Sequence, residues 1–240
     1  VHGASQFPHV VRTGLAQFLQ IPEIQIRVIS TDIGGGFGYK AIVTGEEICL
    51  CWLAMRCGHP VRWLEDRREQ LTANANCREH FYDMTAYADE KGKILAFDAM
   101  AAVDSGAYSA FPFTAAIEAS QVSAILPGPY DLPAYRCSTV AVATNKTPQL
   151  PYRGVARPGC CYAMEVMIDA IARETGREPY EVRLANLVGP EQMPYDNVTD
   201  KHFDSGDYPE LLRRAVDAID LESVRDRQKK GETDGRLIGL

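Results

Sequence analysis

From Asp32 to Lys40 the chain reads Asp-Ile-Gly-Gly-Gly-Phe-Gly-Tyr-Lys, with four glycines in five positions. Each glycine costs roughly 0.5–1 kcal/mol relative to alanine in regular structure. Such a concentration implies that something comes close to the backbone. Successive N–H groups in a glycine-rich turn form a nest for an anion, and a phosphate or pyrophosphate is the natural guest. Neither common phosphate motif fits. A P-loop needs Gly-Lys-Ser/Thr, whereas Tyr39 separates Gly38 from Lys40 and Ala41 follows. The third glycine of a dinucleotide fingerprint read from Gly34 would fall on Tyr39. A plain turn therefore stays open beside a nest.

Other polar groups offer less. His2, His9, His59, His80 and His202 are scattered singly, and no Cys-x-x-Cys occurs, so a zinc site is not expected. Gln6 precedes a helical pattern and reads as a capping or loop amide. Arg153 sits in a proline-punctuated loop over 148–158 and reads as an ordinary loop arginine seeking a carboxylate. Glu118 and Gln121 are lone polar residues in a small-residue apolar stretch over 109–126. Glu165, Asp169 and Arg173 follow at i+4 spacing and read as an exposed ion-paired stripe.

The elements that would position these groups alternate between strands and helices. Apolar and polar residues alternate over 24–29 as in a half-buried strand, and 46–57 reads as a helix stopped by Gly58 and Pro60, so the glycines fall between the two. Val11, Leu15, Phe18 and Leu19 recur at helical spacing. A short buried strand is expected over 61–64, then a charged helical turn capped by Asp66. A hairpin of strands 80–88 and 94–103 turns at 89–93, and 135–144 alternates as a further strand. Helices are expected over 160–175, closed by Gly176, over 179–187, which opens on Pro179, and over 208–219. Residues 1–220 are expected to form one α+β domain of mixed sheet with packed helices. Residues 221–240 read as a charged linker into a following, absent domain.

Composition narrows the function classes. The 240 residues are 46% hydrophobic and 24% charged, ordinary for a globular domain with a sizeable core. A net charge of −7 argues against nucleic-acid or acidic-membrane binding. No apolar run reaches spanning length, and no signal peptide is visible. Seven irregularly spaced cysteines argue against a disulfide framework and for a reducing, cytoplasmic setting.

The glycine stretch resembles the Gly-Gly-Gly-Phe-Gly-x-Lys loop of molybdenum hydroxylase large subunits, the xanthine dehydrogenase and aldehyde oxidase family. A second match runs through Tyr152-Arg153-Gly154, Tyr162-Ala163-Met164-Glu165, Ile168-Asp169, Pro179 and Arg183-Leu184-Ala185-Asn186. The two motifs stand in the family's order with a matching hairpin between them. The resemblance covers nearly the whole chain and implies the first of two molybdenum-cofactor-binding domains, truncated at both ends.

It also implies roles. Gly34, Gly35, Gly36, Phe37 and Gly38 would lie against a molybdenum–pterin cofactor, either molybdopterin or its cytosine dinucleotide. Gln6 would donate its amide toward the metal centre, and Arg153 and Gly154 would support it from the second loop. No side chain here is expected to ligate the metal directly. The reaction implied is hydroxylation of an electron-poor carbon with oxygen from water. The family's glutamate base belongs to the later half of such subunits, so no catalytic residue is expected in this chain. Iron–sulfur clusters and FAD would sit on partner subunits, as in bacterial heterotrimers, or on missing segments. Some relatives are periplasmic.

Three departures bear on the substrate. Val155 stands where xanthine-type enzymes place a stacking phenylalanine, Ala41 where purine oxidisers place a glutamate, and Gln121 where they place an arginine. Gly154 replaces the copper-binding cysteine of carbon monoxide dehydrogenases. The similar Tyr135-Arg136-Cys137-Ser138 lies 17 residues too early. Purines and carbon monoxide are therefore not expected, and an aldehyde or an N-heterocycle is. The alternative from another class is a noncatalytic assembly or binding module derived from the family, for which a broken glycine loop or a lost Gln6 or Arg153 would be the mark.

Overall fold

The computed structural model describes all residues except 75, 78, 114, 115, 232 and 233. The parts of the 109–126 and 221–240 readings that fall on the last four lie outside the described residues. In chain order the elements are β1 (His2–Gly3), α1 (Pro8–Leu19), β2 (Ile29–Ser30), α2 (Gly45–Cys57), α3 (Arg67–Ala73), β3 (His80–Ala88), β4 (Ile94–Gly106) and α4 (Ile117–Ile125). There follow β5 (Tyr135–Ala143), α5 (Arg157–Thr175), α6 (Pro179–Asn186), β6 (Tyr195–Asp196), β7 (His202–Phe203), α7 (Tyr208–Ala218) and α8 (Leu221–Lys230). The strands form a parallel β1-β2 pair, a three-stranded sheet in the order β3-β4-β5, and an antiparallel β6-β7 pair. This is an α+β fold.

Two compact units share the chain. The first takes Val1–Asp83, Ala99–Leu126 and Cys137–Tyr162. Its core forms where Val11 and Leu15 of α1 meet Val43, with Val10, Leu19, Ile48, Cys51 and Phe111 packed around them. α2 is fixed at both ends. The Thr44 hydroxyl and the Glu47 carboxylate close a reciprocal capping box, and Gly58 takes the left-handed C-cap. α3 starts on the same device, with Asp66 and Glu69.

The second unit takes Met84–Asp98, Pro127–Arg136 and Ala163–Leu240. Its hub is Asn186, which is 0% exposed. The Asn186 amide oxygen accepts the Ile94 N–H at 2.8 Å, and its NH2 donates to the Gly92 and Val182 carbonyls, both at 2.8 Å. One side chain thus ties the end of α6 to the turn before β4. Asn186→Leu would leave buried backbone groups without partners, each costing about 1–3 kcal/mol. We expect a loss of about 3 kcal/mol, read as a lower denaturant midpoint at unchanged slope.

Several sequence expectations are met closely, including the 80–88 strand, the 89–93 turn and the α5 stop at Gly176, which has φ +66°. Others are corrected. Over 24–29 the chain first makes a 3-10 turn, Glu23–Gln25, in which the Gln25 and Ile26 N–H groups bond back to the Pro22 and Glu23 carbonyls. Ile24 is 93% exposed, and strand geometry begins only at Ile29. Residues 61–64 make no strand, and Leu64 is 77% exposed. Glu165 and Asp169 do not form an i+4 stripe with Arg173. Both pair with Arg183, at 2.6 and 2.9 Å, and the Tyr130 hydroxyl donates to Glu165 at 2.8 Å. Apart from these corrections, the 221–240 stretch carries α8, whose Arg225 pairs with Glu178 at 2.7 Å.

Candidate cofactor site

The glycine loop leaves β2 and ends in a 3-10 turn, Tyr39–Ala41, that leads to α2. Three segments distant in sequence are joined there, all within the first unit. The Ser5-Gln6 step is fixed by its own backbone. The Gln6 N–H donates to the Lys40 carbonyl at 2.8 Å, and the Ser30 hydroxyl donates to the Ser5 carbonyl at 2.7 Å. α1 has no side-chain cap, so Gln6 is not a capping amide. Its side chain instead enters the glycine loop, where Oε1 accepts the Gly38 N–H at 2.9 Å. That bond fixes the amide's orientation, with the NH2 as the end that remains to donate outward.

The second loop joins from the other side. The Arg153 N–H donates to the Phe37 carbonyl at 2.9 Å, and the Phe37 and Tyr152 rings lie 6.4 Å apart. The glycines make this approach possible. A methyl at Gly36 would overlap the Gln6 side chain, and one at Gly38 would come within 2.7 Å of the Pro151 carbonyl oxygen. Gly38 also has φ +89°, where a side chain is strained in any surroundings.

Two residues with side chains share the left-handed region, Phe37 at φ +56° and Val155 at +44°. For β-branched Val155 this is a true outlier, of the kind that costs about 1–3 kcal/mol and gathers at functional sites. Val155→Gly removes that strain. We expect it to raise stability by about 1 kcal/mol, measured as a higher melting temperature. Unchanged or lower stability would show that Val155 is relaxed where it stands.

Among the positions that the family resemblance assigns to the substrate, Ala41 is buried, 4% exposed, and its N–H donates to the Gly38 carbonyl at 3.0 Å. Gln121 lies half-buried on α4. Gly154 (φ +101°) precedes Val155, and its carbonyl accepts the Arg157 N–H at 3.0 Å as α5 begins. The structure thus brings together Gln6, the loop from Gly36 to Gly38, Ala41 and Arg153, while Gln121 stands on a separate helix and makes no contact with them that the described hydrogen bonds include. Sequence reasoning missed the left-handed Val155. It also missed a buried pair, His80 and Glu118, because His80 shows only as an isolated histidine and Glu118 as a lone acid. Among the described residues no group of three or more His, Cys, Asp or Glu side chains is gathered to hold a metal. What the site offers is backbone N–H groups and one amide.

Residues 1–187 match the molybdopterin cofactor-binding domain family. The carbon monoxide dehydrogenase large chain of Hydrogenophaga pseudoflava is 35% identical over 232 residues, 96% of this chain and 29% of that protein. The nicotine 6-hydroxylase large subunit of Paenarthrobacter nicotinovorans is 34% identical over 238 residues, 99% of this chain and 29% of that subunit. The crystal structure of quinoline 2-oxidoreductase from Pseudomonas putida 86 superposes with a TM-score of 0.89 at 37% identity, covering 95% of this chain and 29% of that one. The chain therefore spans less than a third of the length of these relatives, and with them it belongs to the molybdopterin cofactor-binding domain family of molybdenum hydroxylase large subunits.

Proposed function

We propose that this chain forms one wall of the active site of a molybdenum hydroxylase that oxidises an N-heterocycle and passes the electrons on to iron–sulfur and FAD partner subunits. The observation that carries the reading is the Gln6–Gly38 bond at 2.9 Å, which commits the amide oxygen and leaves the NH2 as the end that can donate to a bound group. The residues present fit a molybdenum–pterin group. Gly34, where a methyl would meet nothing within 4 Å, leaves open backbone for a flat, polar body, the Phe37 ring and the Gln6 side chain fill the space over Gly35 and Gly36, and the Gln6 amide donates without charge. Gln6, Gly34–Gly38, Arg153 and Gly154 would hold it. When bound, the group supplies the oxidising two-electron chemistry and activates water for transfer to carbon.

The chain's own residues orient and exclude. Phe37 and Tyr152 are neighbouring half-exposed rings that would flank an approach to the bound group. Val155 and Ala41 keep the substrate side free of a stacking ring and of a carboxylate, and Gln121 offers a neutral amide in place of a cation. An uncharged ring with one heterocyclic nitrogen suits that lining better than an anionic purine. Quinoline 2-oxidoreductase is named for such a compound, and nicotine 6-hydroxylase for one that contains a pyridine ring of this kind. The test is turnover of the full complex on quinoline, nicotine, xanthine and benzaldehyde with a dye acceptor in oxygen-18 water. Label incorporated into a heterocycle, with kcat/KM at least tenfold above that for benzaldehyde, supports the reading. Preference for the aldehyde or for xanthine overturns the substrate class.

A further inference from the structure

The first unit also buries a polar chain that none of the roles above uses. His80 of β3 and Glu118 of α4 are 3% and 7% exposed at their side chains, with Nε2 and Oε1 3.2 Å apart. The pair lies off the line of a good hydrogen bond, and neither atom has another partner among the described residues. The other ring nitrogen, Nδ1, lies 2.8 Å from the Tyr82 hydroxyl, which is 3.8 Å from the Cys160 sulfur. Cys160 in turn reaches the Val122 carbonyl of α4 at 3.8 Å. Burial pushes the Cys160 thiol up to about 11 and the Tyr82 phenol well above its usual range, so both are neutral near pH 7. Gly159 makes room for the ring, since a methyl there would overlap His80 and come within 3.1 Å of the Tyr82 hydroxyl.

Three elements thus close around one imidazole: β3, the first turns of α5, and α4. A buried His–Glu pair is no better for stability than apolar residues of the same volume. What it adds is direction, because each partner is costly to bury without the other. Glu118 is one turn before Gln121 on α4, on the same side of the helix. The first turns of α5 follow directly on the Arg153–Val155 loop.

We propose that His80 and Glu118 are positioning residues that clamp α4 to the start of α5, and so set the distance between Gln121 and the Val155 loop that the substrate must fit. This rests on the reading of Gln121 and Val155 as substrate positions. Assigning the Nε2 proton to the Glu118 side makes Nδ1 the acceptor of the Tyr82 hydroxyl, so Glu118→Gln, which keeps an acceptor oxygen, preserves the clamp, while Glu118→Leu removes it.

The test uses the full-length subunit in its complex. In E118L we expect KM for the heterocycle to rise about tenfold, kcat to change less than twofold and molybdenum content to stay at the wild-type level, while E118Q stays within twofold of wild type in both constants. Amide hydrogen exchange over 117–126 and 157–162 should quicken in E118L and not in E118Q. Unchanged KM and exchange in E118L, or equal effects in both variants, overturns the clamp. A wild-type complex that lacks molybdenum and pterin would defeat the functional reading alone, because the exchange comparison needs no turnover and still decides for or against the clamp.

Discussion

Replacing Gly36 with alanine should strip the assembled enzyme of its cofactor while leaving the chain folded. Gly36 has an ordinary φ, so alanine there adds no backbone strain. Its methyl group, however, would occupy the space of the Gln6 side-chain atoms. Gln6 is exposed and held at its far end by one bond to the Gly38 N–H, so it yields more easily than the loop. Displacement breaks that bond and turns the donor away from the site. We expect molybdenum and pterin content below a tenth of wild type, with a melting temperature within a few degrees of it. Full cofactor content in G36A would mean that the Gln6 contact is incidental to binding.

The second large effect is expected at Gln6 itself, where two substitutions separate its two ends. Gln6→Glu keeps an acceptor for the Gly38 N–H but replaces the outward NH2 with a second acceptor carrying negative charge. Gln6→Ala loses both. If the loop bond were what mattered, Q6E would resemble wild type and Q6A would fail. Our account predicts the reverse ranking for turnover. Losing a hydrogen bond that strengthens at the reacting centre, about 2–4 kcal/mol, corresponds to a fall in kcat of roughly 30- to 1000-fold. Q6E should fall at least as far as Q6A, since charge repulsion is added to the missing donor. Steady-state kinetics normalised to molybdenum content makes the comparison.

Much of this was legible in the residues, and the remainder was hidden for identifiable reasons. The glycine run and the Tyr152-Arg153-Gly154 loop announce a backbone approached closely, and they do meet through Arg153 and Phe37. Ile24, Ile26 and Val28 alternate like a strand, but Pro22 opens a 3-10 turn and leaves Ile24 in solvent. Alternation reports which side chains can share a face, not whether a second strand is there to pair with. The i+4 spacing of Glu165 and Asp169 was real. Their partner, Arg183, lies on the next helix, where no local pattern could point. The left-handed Val155 was invisible because valine avoids that conformation, so its residue type argued against what the loop imposes.

The same limit explains the contacts visible only in three dimensions. Gln6 and Gly38 are 32 positions apart and His80 and Glu118 are 38 apart. Each pair depends on a glycine, Gly36 or Gly159, that leaves space for the side chain. Those glycines are explained by their neighbours rather than by a turn, which spacing alone cannot distinguish.

The most direct test of the central claim is the metal and pterin content of the purified full-length complex, by inductively coupled plasma mass spectrometry and by fluorescence of the oxidised pterin. The account predicts about one molybdenum and one pterin per large subunit in the wild type, both lost in G36A. A fully matured wild-type complex holding neither would contradict it, and would leave the glycine loop to a noncatalytic assembly module.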